Sequence, residues 1–172
     1  AGIGAIITGI GSLSYGELAG ERMKLGLMLH DPEEEQDCFS DNTHNAHFYD
    51  VIGMQAVYLG SYKRVNGKEV RGPGLSQLVA ASQPALDAEM RQKLVKSIDA
   101  VAAMKTRAES VERYDQMLAE GNAEGNAAIQ RAIDALTDQT KTLERIAAAL
   151  KLDTIRFEGS DSLDDPAKVK KK

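Results

Sequence analysis

Residues 128–150 read AIQRAIDALTDQTKTLERIAAAL. Ile129, Ile133, Leu136, Thr140, Leu143, Ala147 and Leu150 alternate steps of four and three. That rhythm returns to one side of an α-helix and makes a heptad-like seam, the pattern of bundle packing. It predicts a last helix over residues 123–150. A second stripe lies upstream, with Leu86, Met90, Leu94, Ile98 and Val101 at steps of four, four, four and three. Ser82-Gln83-Pro84 opens it, with proline suited to a first helical turn. This helix is read toward Leu118, with a break near residues 105–109. Two more helices are read over residues 3–29 and 43–59. The first carries Ile3, Ile6, Ile7, Ile10, Leu13 and Leu18 at helical spacing. The other carries Phe48, Val51, Ile52, Gln55 and Leu59, with Asp41, Asn42 or Thr43 as N-cap and Gly60 at its stop. Leu75–Ala81 adds a short helix. The sum is an all-α chain, an antiparallel up-down four-helix bundle with long loops and a small hairpin.

The connectors carry their own signals. Pro32 ends the first helix, because the residue before proline avoids the α region. The loop at 30–42 then holds Asp31, Glu33, Glu34, Glu35, Asp37 and Asp41 without one basic residue between them. Asn66-Gly67, between Tyr62–Val65 and Lys68–Arg71, predicts a two-residue type I′ hairpin. Gly2, Gly4, Gly9 and Gly11 each disfavour helix by about 1 kcal/mol, so their number predicts close backbone packing against a neighbour. The chain divides into a helical domain over 1–158 and an extended charged tail over 159–172, with Ile155 and Phe157 able to tack the last segment to the bundle.

Composition bounds the function. The 172 residues are 42% hydrophobic and 27% charged, an ordinary globular balance. A net charge of −5 and an absence of tryptophan argue against nucleic acid as a partner. Ala1–Leu13 is apolar but too short to span a bilayer. Cys38 is the one cysteine, so no internal disulfide forms. The acids around it disfavour a reactive thiolate, and it reads as a small packed residue.

His30, His44 and His47 fall within one 18-residue window. His44 and His47 are three apart on a helix and share a face that Asp50 continues. Two imidazoles and a carboxylate at that spacing can hold a transition metal; an exposed helix start beside an acidic loop is the plainer alternative. His30 and Glu33 are also three apart, but Pro32 stands between them. Glu33-Glu34-Glu35 reads as a solvated loop, since a calcium loop needs spaced ligands and a turn glycine. Glu17 and the Glu21-Arg22 pair sit in an otherwise apolar helix, either paired with one another or lining a cavity.

Two runs carry a resemblance. Gly16-Glu-Leu-Ala-Gly-Glu-Arg-Met23 and Cys38-Phe-Ser-Asp-Asn-Thr-His-Asn-Ala-His-Phe-Tyr-Asp50, followed by Val57-Tyr-Leu-Gly60, resemble the imelysin-like family in its iron-regulated branch. The resemblance implies an all-helical fold of two bundle halves with a site between them. It implies a bacterial envelope protein, periplasmic or outer-membrane-associated, tied to iron uptake. The family's proposed metal motif, Gly-x-His-x-x-Glu, is absent, since no histidine here follows a glycine by two positions. The chain therefore resembles the C-terminal half. Its implied partners are the N-terminal half, with a lipid anchor through that part, and a metal or small ligand. By resemblance Glu17, Arg22, Ser40, Asp41, Asn42 and Thr43 form the ligand-site wall, with His44, His47 and Asp50 as metal ligands. Iron or zinc is the implied metal and haem an alternative ligand; no catalytic residue is assigned. Three functions follow: a binding protein of iron or haem acquisition, a metallopeptidase of the imelysin type, or a structural interaction domain.

Overall fold

The computed structural model describes residues 2–152 and 155–169. The first long helix has three parts without interruption: α1 (Gly2–Ser12), a π-helical segment (Leu13–Lys24) and α2 (Leu25–Leu29). It closes on His30 in the left-handed conformation, one residue before Asp31-Pro32. A 3-10 turn (Pro32–Glu34) and an irregular loop lead to α3 (Thr43–Leu59). Strands β1 (Ser61–Lys63) and β2 (Glu69–Arg71), then α4 (Leu75–Ser82), connect it to α5 (Pro84–Ser110). After α6 (Tyr114–Leu118), α7 (Ala123–Ala149) completes the four long helices.

Side-chain pairs fix the directions. Arg145 meets Glu89 at 2.6 Å and Arg107 meets Glu124 at 3.1 Å, so α5 and α7 run opposite ways. Ser14 donates to the Leu136 carbonyl and Lys24 to Gln130, so the first helix and α7 also oppose. Tyr58 near the end of α3 bonds Asp87 near the start of α5, at 2.9 Å. The fold is the expected all-α up-down bundle. Its core buries Leu18, Met23, Val51, Met54, Met90, Leu94, Val101, Met104, Ile129, Ile133, Leu136 and Leu143. Each such side chain contributes about 1.5–3 kcal/mol on leaving water. Among the described residues, no helix is long and apolar enough to cross a membrane.

Local details correct the expectations. The break after α5 falls at 111–113, not at 105–109, because Val101, Met104 and Ala108 continue the buried stripe past the expected position. The hairpin pairs Ser61 with Arg71 and Lys63 with Glu69. Its turn runs from Arg64 to Gly67, with Gly67 alone left-handed at φ 81°, so the loop spans three residues and not the two of a type I′ turn. Cys38 is exposed and not packed.

The segment expected to be an extended tail is a folded strap. Residues 155–169 carry α8 (Asp161–Asp164) and a 3-10 turn (Pro166–Lys168), and they lie along the first helix. Ile155 and Phe157 tack onto the core, as expected. A Cβ on Gly11 would stand 2.4 Å from the Phe157 ring, and one on Gly20 2.3 Å from Ser160 Cβ. The neighbour that the early glycines require is therefore, at Gly11, Phe157 of the strap, while Gly2 and Gly9 face open space. Lys170, Lys171 and Lys172 of the expected tail lie outside the described residues. The Tyr15 hydroxyl ties the strap down by donating to Asp164 at 2.7 Å, and burial together with that carboxylate pushes its pKa up to about 12. Tyr15→Phe is expected to cost about 1 kcal/mol in urea unfolding, the net worth of one such bond.

Candidate functional site

The site lies where the π segment, the acidic loop, the start of α3 and α6 meet. In the π segment, Glu17 and Arg22 stand five residues apart and face one another. Arg22 Nε and Nη2 donate to Glu17 Oε1 at 2.9 and 2.7 Å. Arg22 Nη1 donates to Asp50 Oδ2 of α3 at 3.0 Å. The guanidinium thus bridges two carboxylates on neighbouring helices. Burial raises the Asp50 pKa, against the lowering effect of Arg22.

Beside this bridge, α3 sends its first-turn side chains inward. Thr43, His44 and His47 are all buried. Thr43 Oγ1 accepts from the Asp37 backbone and so pins the loop. His44 Nε2 meets the Asn45 amide at 3.1 Å, and its Nδ1 has no partner. His47 is wholly buried, edge-on to Tyr114 at 5.4 Å between ring centroids, and neither nitrogen has a hydrogen-bond partner. Burial, helped by the Arg22 charge, lowers the His47 pKa to about 3; the nearby Arg22 backbone opposes this without forming a bond of proper geometry. The Tyr114 hydroxyl is buried and unpartnered, its pKa raised by burial and then by Glu35. Glu35 is itself buried, with Oε2 unpartnered. Burial raises its pKa, the Thr43 hydroxyl opposes, and the charges of Asp115, Asp41 and Asp37 add.

Glu35, His44, His47 and Tyr114 thus form a buried polar quartet in which each member has at least one polar atom without a partner. Native cores pair nearly all such groups, and each orphan costs about 1–3 kcal/mol. The only other orphaned buried side-chain atoms among the described residues, Ser97 Oγ and Gln139 Oε1, belong to α5 and α7. From the bridge, a groove of about 390 Å³ runs between α1 and α3, from Asp50 past Tyr49, Gly53 and Val57, with Ile6 and Gly9 opposite.

The expected residues divide accordingly. Glu17, Arg22 and Asp50 come together as one charge network, and Thr43, His44 and His47 line the buried interior. Ser40 and Asn42 are exposed on the loop, and Asp41, left-handed at φ 51°, pairs with Arg113 at 3.1 Å. His30 caps the first helix and binds the Leu118 carbonyl through Nδ1 at 2.8 Å, a structural role. Two members of the quartet carry no legible signal in the sequence. Glu35 is hidden in a run of three glutamates, and Tyr114 sits beyond the helix break. A preassembled metal centre does not fit. Asp50 turns to Arg22, and among the described residues no three His, Cys, Asp or Glu side chains are grouped to hold a metal ion.

The family model described as Imelysin matches residues 1–143, which include the whole bundle start, the loop and the quartet. The chain belongs to the imelysin family. No curated protein matches it. The imelysin match takes in every residue of the charge network and the quartet, while the strap at 155–169 lies outside the matched residues.

Proposed function

We propose that this imelysin-family chain is the ligand-holding bundle of a bacterial envelope protein of iron acquisition, one that binds its cargo and does not cleave a substrate. The observation that carries this reading is the orphaned quartet. Four buried side chains, each with at least one polar atom unpaired, under a loop pinned by Thr43 and Arg113, are retained at a cost in stability. A bound cargo that satisfies them offsets that cost. The four groups are not spaced as a ready metal site, so the cargo is iron already held in a complex: imidazole and phenol serve as axial ligands of haem, and imidazole, phenol and carboxyl can hydrogen-bond a ferric chelate. Iron as the cargo is supported by the resemblance to the iron-regulated branch. The peptidase reading is weaker on this chain, because hydrolysis by a metal needs a held ion with an open position and a general base. The motif proposed to hold that ion in the family, Gly-x-His-x-x-Glu, is absent from this chain.

Ferric citrate and haemin, each titrated separately into the chain and followed by absorbance and retained iron after gel filtration, test the reading. One of the two is expected to be retained near one per chain, with at least tenfold weaker binding in His47→Gln and in Tyr114→Phe. Retention of neither overturns the iron reading. Peptide cleavage that a chelator abolishes overturns the binding reading in favour of the peptidase.

A further inference from the structure

Residues 13–24 are wound one residue looser than an α-helix, as shown by the Leu25 N–H bonding the Gly20 carbonyl five residues back. Most π-helical stretches are single turns, so twelve residues in that winding need support from outside the helix. The structure supplies it on separate faces. On the α7 side, Ser14 donates to the Leu136 carbonyl and receives Gln139 and Thr140, each at 3.1 Å. On the α3 side, Arg22 reaches Asp50. The strap covers the remaining face. Its Glu158 N–H donates to Ser12 Oγ at 2.9 Å, Ser162 Oγ donates to the Gly20 carbonyl at 2.9 Å, and Ser160 Oγ donates to Glu21. The fit is close. A Cβ on Gly16 would meet the Glu158 carbonyl oxygen at 2.4 Å and that of Gly159 at 2.9 Å, both backbone atoms that no side-chain rotation can move aside.

The winding matters to the site. In an α-helix, residues five apart lie about 140° apart around the axis. The looser winding brings Glu17 and Arg22 to one side, where two guanidinium nitrogens reach the same carboxylate oxygen.

We propose that the strap is the positioning device of the site: residues 155–164 hold residues 13–24 in the i+5 winding, and that winding keeps Arg22 between Glu17 and Asp50. When the strap lifts, the segment rewinds as α-helix and Glu17 and Arg22 part. The residues from Met23 to His30 turn with them. Gly16, Gly20, Ser160 and Ser162 act here through Arg22.

Nuclear magnetic resonance on the full chain tests it. In Gly16→Ala/Gly20→Ala, amides of 158–164 are expected to exchange at least tenfold faster. The Cα shifts of 13–24 move toward α-helical values, and the Arg22 Nε–H signal leaves its ion-paired position. Protection in α5 and α7 is retained. Ser160→Ala/Ser162→Ala, which leaves the helix sequence intact, moves the same signals in the same direction. Glu17→Gln identifies the Arg22 signature by displacing it with the strap still protected. A strap that exchanges freely while 13–24 and Arg22 keep their wild-type signals overturns the proposal. So does a strap that stays protected in both double variants.

Discussion

Lowering the pH from 7.5 to 5 is expected to remove about 2 kcal/mol of stability through His47 alone. A histidine free in the unfolded chain takes a proton near pH 6.5, whereas His47 in the core resists it down to about pH 3. Between those values the unfolded state holds more protons. Stability therefore falls as the pH drops below 6.5, by about 1.4 kcal/mol per pH unit, and the loss is complete only below 3. Glu35 and Asp50, with raised folded-state pKa values, protonate more readily in the fold and oppose the loss in the carboxylate range. Asp87, with a lowered one, adds to it. Urea midpoints at pH 7.5, 6 and 5 measure the slope. His47→Phe removes the titrating ring and both orphaned nitrogens, so its curve is expected to be flatter over this range. Equal slopes in both proteins would show that the acid sensitivity lies elsewhere.

Asp87→Ala is expected to cost about 3 kcal/mol while leaving the site intact. Asp87 Oδ1 accepts from the buried Tyr58 hydroxyl at 2.9 Å and from Ser76, and Oδ2 accepts from Arg91 at 2.8 Å. Burial raises its pKa, but bonds from Ser76, Arg91 and Tyr58 outweigh it and leave the net value lowered. Removal of the carboxylate strands the buried Tyr58 hydroxyl and leaves Ser76 Oγ only its bond from Arg91 at 2.5 Å, at about 1–3 kcal/mol for each lost acceptor. Arg91 is half exposed and regains water, which limits the loss. Tyr58→Phe removes donor and demand together and is expected to cost about 1 kcal/mol. Because this network sits at the far end of α3 from His44, the resonances of His44 and His47 should stay in place in both variants. A loss below 1 kcal/mol in Asp87→Ala would mean that water reaches the two hydroxyls.

The four long helices were legible because their apolar residues repeat at helical steps, and burial of Leu94, Val101, Ile133 and Leu136 follows those steps. The π segment was not legible. Its residues satisfy a 3.6 period nearly as well as a looser one, and what selects the winding is contact with partners far along the chain. The strap was missed for a related reason. Gly159, Pro166 and mixed charge read as a tail, and nothing local announces that Gly16 and Gly20 leave room for its backbone. Within the site, the shared face of His44 and His47 was legible from their spacing, but that this face turns inward was not. Glu35 was not, since three adjacent glutamates look alike until one of them is buried.

The bonds between strap and first helix join residues 139 to 149 positions apart. Closing loops of that size is slow compared with packing neighbouring helices, because the entropy of the intervening chain must first be lost. During synthesis the first helix emerges before residues 155–169. The helices therefore assemble around a first helix still free to wind as α, and its final pitch is set by a segment made only after all four long helices.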